Sequence, residues 1–143
     1  MSGSIINHVM QTLADNCVSA SLAMITGIDI DNITRHFHED YLEGTYDTHE
    51  MLTELGIKYR HCLSSERVLK PNHVYIVHTP SLNIRGGMHS IVIQMNVAGD
   101  SWWVFDPNSG KKGKRVYDNN FNLVSWCPDF EFTIDDILEF RQR

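Results

Sequence analysis

Hydrophobic positions change their period partway along the chain. From Asn16 to Thr26 the apolar residues Val18, Leu22 and Ile25 recur at helical spacing, Ala20, Ala23 and Met24 widen the stripe, and Gly27 stands where a helix stops. So broad a stripe predicts a helix buried on most sides. A second helix is expected to start near Asp29 or Asp31 and to carry Ile33 and Phe37. The stretch DTHEMLTELG predicts a third, with Asp47 as N-cap, Glu50 as its capping-box partner, Met51, Leu52 and Leu55 as the apolar stripe, and Gly56 as the stop.

After Gly56 the period shortens to two. IKYRHCL, HVYIVHT, HSIVIQMNV, SWWVFD, KRVY and FNLVSWC are β-branched or aromatic segments separated by turn residues. Neighbours this close in sequence are expected to pair antiparallel. The chain then returns to helix, capped by Thr133 or Asp135 and carrying Ile137, Leu138 and Phe140. The predicted fold class is α+β, with N-terminal helices packed on a twisted antiparallel sheet.

Composition narrows the functional classes. The 143 residues contain no repeat and no linker, so a single domain over 1–143 is expected. With 42% hydrophobic and 21% charged residues, and no apolar run near the roughly 20 residues that span a bilayer, no membrane partner is expected. MSGSIINHVM shows no basic n-region, apolar h-region or cleavage site, which makes a cytoplasmic location the expectation. Cys17, Cys62 and Cys127 are odd in number and widely spaced, predicting free thiols rather than a disulfide framework or a C-x-x-C metal site. A formal charge of −6 argues against nucleic acid as a partner; the local exception, KKGKR at 111–115, reads as a solvated turn. A metal site built from HFHED (36–40) and His61–Cys62 is disfavoured, because residues two apart on a helix point different ways. No metal and no other cofactor is expected.

Candidate chemistry centres on Cys17. A thiolate is stabilised at a helix N-terminus by the helix dipole and the unpaired N–H groups there. With Asp15 or Asn16 as cap, Cys17 falls in the first turn. A buried cysteine that merely packs is the commoner case, so the cysteine needs partners. One candidate is His89, which follows Gly86 and Gly87 and opens a strongly apolar strand; the two glycines leave room for a substrate backbone. That strand turns near Ala98–Asp100 and returns through Trp102 to Asp106. A two-residue loop at Ala98 and Gly99 sets Asp106 opposite Ile91 and diagonal to His89, where its carboxylate can orient the imidazole. The same register puts Asn108 across from His89 as a rival orienter. Asp106 also opens DPNSG, a sequence that makes a turn on its own account. Gln11, just upstream of Cys17, can donate from its amide to an oxyanion beside the backbone N–H of the cysteine.

These residues in this order resemble the papain-like cysteine peptidase superfamily, and most of all the bacteriocin-processing, double-glycine leader peptidase family and its stand-alone relatives. The likeness rests on Q-x5-C at Gln11–Cys17, the helix ASLAMITG, a short helix ending in LG, and the hairpin HSIVIQ to WWVFDPNSG, and it covers roughly residues 8–117. It implies a papain-like fold, Cys17 as nucleophile, His89 as general base and acid, Asp106 as orienter, Gln11 as oxyanion donor, and a peptide or protein as substrate. The family usually carries Asp before the cysteine and Gly after it, where this chain has Asn16 and Val18. The branched Val18 joins Gly86 and Gly87 as a residue expected to shape substrate binding. The expected function is acyl transfer through a thioester, as a peptidase acting on amide or isopeptide bonds. A deamidase or transglutaminase-type enzyme, or a non-catalytic protein-binding module on the same fold, are the alternatives.

Overall fold

The structure, a computed structural model, describes residues 3–83, 85–108, 116–118 and 125–143. The apolar run after Asn16 forms α1 (Cys17–Thr26), in which every residue from Ser19 to Thr26 is buried. Gly27 ends it in the left-handed region (φ 77°), its N–H donating to the Ala23 carbonyl. The guanidinium of Arg141 completes that end, donating to the carbonyls of Met24 (2.7 Å) and Ile25 (3.2 Å), and also to Ile5 (2.8 Å). The central helix is thus fastened by the far end of the chain.

Asp29 accepts from the N–H of Asp31 and starts a helical run comprising α2 (Ile30–Ile33), a π-helical turn (Thr34–His38) and α3 (Glu39–Leu42). The wider π turn is where Phe37 and His38 are both buried. α4 (Thr48–Leu55) carries the capping box of Asp47 and Glu50 and stops at Gly56. α5 (Ile134–Arg141) starts at Thr133, whose hydroxyl accepts from the N–H of Asp136.

The sheet is antiparallel throughout, with strands β1 (Arg60–His61), β2 (His73–Pro80), β3 (Met88–Met95), β4 (Trp102–Phe105) and β5 (Cys127–Thr133) in the order β1-β5-β2-β3-β4. The molecule is therefore α+β, but the sheet departs from a simple succession of neighbours. IKYRHCL contributes only two strand residues, and β5 inserts between β1 and β2. β5, with the sequence CPDFEFT, lies beyond the expected strand segments except for Cys127, and it contains Pro128, which cannot donate to a ladder. The structure accommodates it with a register shift. Ile76 faces Phe130 but Val77 faces Pro128, so Asp129 is an extra residue at a bulge. Residues 116–117 of the expected strand KRVY and 125–126 of FNLVSWC are not strand; the rest of KRVY, residues 121–124 and KKGKR lie outside the described residues.

The β3–β4 register is the one predicted, with Val92 opposite Phe105 and Met95 opposite Trp102. The turn is longer than expected, since Asn96 still pairs with Ser101 (N–H to carbonyl, 3.0 Å) and four residues remain outside the ladder. Asn96 Oδ1 accepts from the N–H groups of Gly99 (2.7 Å) and Asp100 (3.1 Å). Lengthening the loop from two to four keeps the parity, so every side chain stays on its predicted face.

Two apolar layers flank the sheet. Leu22, Met24 and Ile25 of α1 meet Val74, Ile76, Val92, Phe130 and Phe132 on one face. Tyr75, Val77, Ile91, Ile93 and Tyr117 pack on the other. Among the described residues no helix is long and apolar enough to cross a membrane.

Candidate active site

Cys17 is the first residue of α1 and is half-buried at the wall of a cavity of about 680 Å³. Asn16 occupies the cap position, as expected, but its side chain does not cap the helix. Its Oδ1 accepts from Leu13 N (2.9 Å), and its Nδ2 donates to Thr12 Oγ1 (2.9 Å) and Thr34 Oγ1 (3.2 Å). Asn16 thereby ties the loop before Cys17 to the helix beyond it. The first turn of α1 has no side-chain cap hydrogen bond and no acidic residue, so its N–H groups are open to an acceptor from the cavity.

His89 lies in β3, 9% exposed, and its Nε2 donates to Asp106 Oδ1 at 2.6 Å. Cys17 lines the same cavity as this imidazole and acts on it electrostatically. Burial alone would depress the imidazole, but the Asp106 carboxylate and then Cys17 oppose it and raise its pKa to about 9. Cys17 and His89 thus face one cavity. Next to His89, Ser90 turns to the helix face, where its hydroxyl and that of Ser21 share a hydrogen bond of 3.0 Å. Ser21 is one turn along α1 from Cys17, so this bond fixes the strand bearing His89 against the helix bearing Cys17.

Asp106 is held from several directions. Its Oδ1 also accepts from Asn108 N (2.8 Å), its Oδ2 accepts from Tyr117 N (2.7 Å), and its carbonyl accepts from His8 Nε2 (2.7 Å). The side-chain contact to His89 is thus made by Asp106, and Asn108 supplies a backbone N–H to the carboxylate. Tyr117 stacks on the His89 ring (centroids 5.9 Å apart, planes 18° apart), and its hydroxyl donates to the Pro80 carbonyl. Neither Tyr117 nor His8 was singled out from the sequence. No spacing rule connects either to His89, and Tyr117 sits in no regular element.

Gln11 also lines the cavity, 6% exposed, but its amide is engaged otherwise than expected. Nε2 donates to the carbonyls of Leu13 (2.9 Å) and Ala14 (3.0 Å), and among the described residues the buried Oε1 has no hydrogen-bond partner. Turning the amide over would set its oxygen against two carbonyls, so the loop dictates this orientation. The Gln11 side chain acts here as a brace for the 11–16 loop. Val18 lines the cavity as expected, whereas Gly86 and Gly87 do not. Gly86 takes φ 76° in an exposed turn, and the carbonyl of Gly87 accepts from Ser81 N (2.8 Å). The two glycines thus shape the β2–β3 connection and not the cavity wall.

All three cysteines are free thiols. Cys62 is buried, which pushes its pKa up to about 11, and it belongs to the opposite sheet layer. Of the histidines weighed for a metal, His36 pairs with Glu54 and His38 with Asp15, so each has its own partner. In comparisons with protein-family models, curated proteins and solved structures, this chain finds no match.

Proposed function

We propose that this chain is a cysteine-dependent acyl-transfer enzyme of papain-like type, acting as a peptidase on amide or isopeptide bonds. The observation that carries the proposal is one buried imidazole that is bonded to the Asp106 carboxylate and lines the same cavity as the Cys17 thiol, which acts on it electrostatically. A structural histidine needs no cavity shared with a thiol; His89 lines one with Cys17. The raised pKa keeps His89 protonated near neutrality, the charge state in which an imidazole can pass a proton to a leaving nitrogen.

In this mechanism the Cys17 thiolate adds to the scissile carbonyl carbon, and the carbonyl π electrons move to oxygen. The first-turn N–H groups of α1 receive the oxyanion. Gln11, whose Nε2 is held by two carbonyls, supports the loop beneath them. Protonated His89 passes its proton to the leaving nitrogen, and the C–N bond breaks to give a thioester and an amine. Neutral His89 then takes a proton from water, whose oxygen attacks the thioester, and the acid leaves as Cys17 departs as thiolate. Asp106 holds the imidazole so that one nitrogen faces Cys17 throughout.

The test is alkylation with iodoacetamide at neutral pH, with the modified residues mapped by mass spectrometry. Cys17 should react selectively over Cys62 and Cys127, and His89→Ala should abolish the selectivity. Absent or unselective modification of Cys17 in the wild-type protein would overturn the assignment.

A further inference from the structure

A second histidine–aspartate pair stands in the wall of the same cavity and takes no part in the chemistry above. His78 of β2 and Asp129 of β5 are joined by a hydrogen bond of 2.6 Å between Nδ1 and Oδ1. Asp129 is there because of the bulge. Phe130 pairs with Ile76 and Cys127 with His78, so the extra residue lets Asp129 and Phe130 both reach the side of the sheet that carries α1. Bulges that re-aim a side chain are common beside binding sites.

Val18 follows Cys17 in α1, and Ile76 and Phe130, paired across β2 and β5, adjoin His78 and Asp129; with Tyr41 they give the cavity apolar lining. In the same lining the Asp129 side chain is about 30% exposed. Its Oδ1 is occupied by His78, and among the described residues Oδ2 has no hydrogen-bond partner. A further carboxylate, Asp15, lies at the rim, and among the described residues no lysine or arginine lines the cavity. Arg67 is close enough to act electrostatically on His78, but its guanidinium donates to the carbonyls of Ser64 and Glu66. An apolar trough ending in an open carboxylate oxygen matches one kind of side chain, a long aliphatic stem with a cationic head.

We propose that this trough is a specificity pocket for a lysine or arginine side chain next to the scissile carbonyl, with the stem on Val18, Ile76 and Phe130 and the head on Asp129. The proposal rests on the assignment of Cys17 as nucleophile and adds the class of substrate it acts on. Asp129 is the specificity-determining residue, and His78 is its competitor for the carboxylate. A neutral or acidic side chain leaves that oxygen to solvent or meets it with like charge.

The experiment measures the inactivation rate of the enzyme by three peptidyl acyloxymethyl ketones identical except for lysine, norleucine or glutamate next to the reactive carbonyl. Each rate is divided by the iodoacetamide rate of the same protein. Lysine should exceed norleucine roughly tenfold, and glutamate should be slower than norleucine. In Asp129→Asn the lysine-to-norleucine ratio should fall close to one. In His78→Gln, which leaves Asp129 intact, the ratio should rise, which guards against a misfolded first variant. Selective, His89-dependent alkylation of Cys17 with no lysine preference would overturn the pocket and leave the catalytic assignment standing. Unselective iodoacetamide reaction would overturn the catalytic assignment itself. A lysine preference that survives Asp129→Asn would overturn the role of Asp129.

Discussion

Replacing Asp106 with asparagine changes one oxygen to an amide nitrogen and removes a charge at a position whose side chain is 1% exposed. The wild-type carboxylate accepts three N–H groups, from His89 and Asn108 on one oxygen and from Tyr117 on the other. An amide accepts on one atom only, so its nitrogen must confront either Tyr117 N–H or the other two donors. One buried unsatisfied donor costs about 1–3 kcal/mol, and the loss of charged hydrogen bonds adds to it, so denaturant unfolding should show a deficit of about 2–4 kcal/mol. The electrostatic effect is separable from this. Burial opposes the charge on His89 and Asp106 is the largest influence restoring it, to about 9. Without the carboxylate the imidazole should return to its ordinary value near 6.5 or below, a change worth about 3 kcal/mol. Near pH 7.5 the imidazolium fraction then falls from almost complete to about a tenth, and alkylation of Cys17 should slow roughly tenfold or more. A raised folded pKa contributes stability in full below about 6.5 that is lost as pH rises through about 9. Wild-type unfolding free energy should decline across that window, and the Asp106→Asn protein should lose the decline. The assays are the titration of the His89 ring by NMR and the iodoacetamide rate against pH. A variant whose His89 still titrates near 9, or whose Cys17 reacts at the wild-type rate, would refute the reasoning.

Three further substitutions probe the scaffold. Glu131 is 6% exposed and accepts from Arg60 (2.9 and 3.0 Å), Lys70 (3.3 Å) and Tyr75 (2.7 Å); the Arg60 bond, against burial, lowers its pKa to about 2. Its contribution is present above the ordinary value of 4.5 and lost as pH falls toward 2, so Glu131→Gln should cost about 2 kcal/mol in neutral urea and flatten the acid limb of stability over that range. Gly99 has φ 80°, and a Cβ there would lie 2.6 Å from Pro71 Cγ, so Gly99→Ala should lower unfolding free energy by about 1–3 kcal/mol in a denaturant titration. Arg141→Ala removes three donors from helix-end and N-terminal carbonyls; it should lower the thermal midpoint, at a cost of about 2 kcal/mol, while the ratio of Cys17 to Cys127 alkylation is retained.

The helices were legible because their signals are local. The stripe from Val18 to Ile25, the Asp47–Glu50 box and the glycines at 27 and 56 each act within one or two turns, and all operate in the structure as their spacing implies. The β3–β4 register was legible too, since parity survives any even loop length. The position of β5 was not, because strand order is decided by packing across the sheet, and Pro128 is tolerated only where a bulge has suspended the ladder. Gln11 shows another limit. Sequence places its amide near Cys17, but the direction of that amide depends on where the carbonyls of Leu13 and Ala14 point, and no residue pattern encodes that. Asp129 escaped notice for the same reason as β5: its aim comes from the bulge.

Asp106 can be read from sequence in two ways, as a turn former in DPNSG or as the partner of His89, and register alone lets Asn108 compete for the second role. In the folded chain these are one arrangement. Pro107 ends the pairing, the chain turns, and the N–H of Asn108 returns to Oδ1 of Asp106 at 2.8 Å, the local bond by which an aspartate builds a turn. That oxygen also takes the His89 hydrogen bond at 2.6 Å. The turn therefore holds the carboxylate in the orientation the imidazole requires. Asparagine at 106 could form a similar turn, but it would bring no charge to His89. The turn accounts for an Asx residue at this position, and the buried imidazole with its raised pKa accounts for the acid. The backbone completes the fixation: Gln11 N donates to the Pro107 carbonyl at 2.8 Å and His8 to the Asp106 carbonyl at 2.7 Å. The segment leading to Cys17 is thereby bonded directly to the turn that holds Asp106, so thiol, imidazole and carboxylate are positioned as one unit.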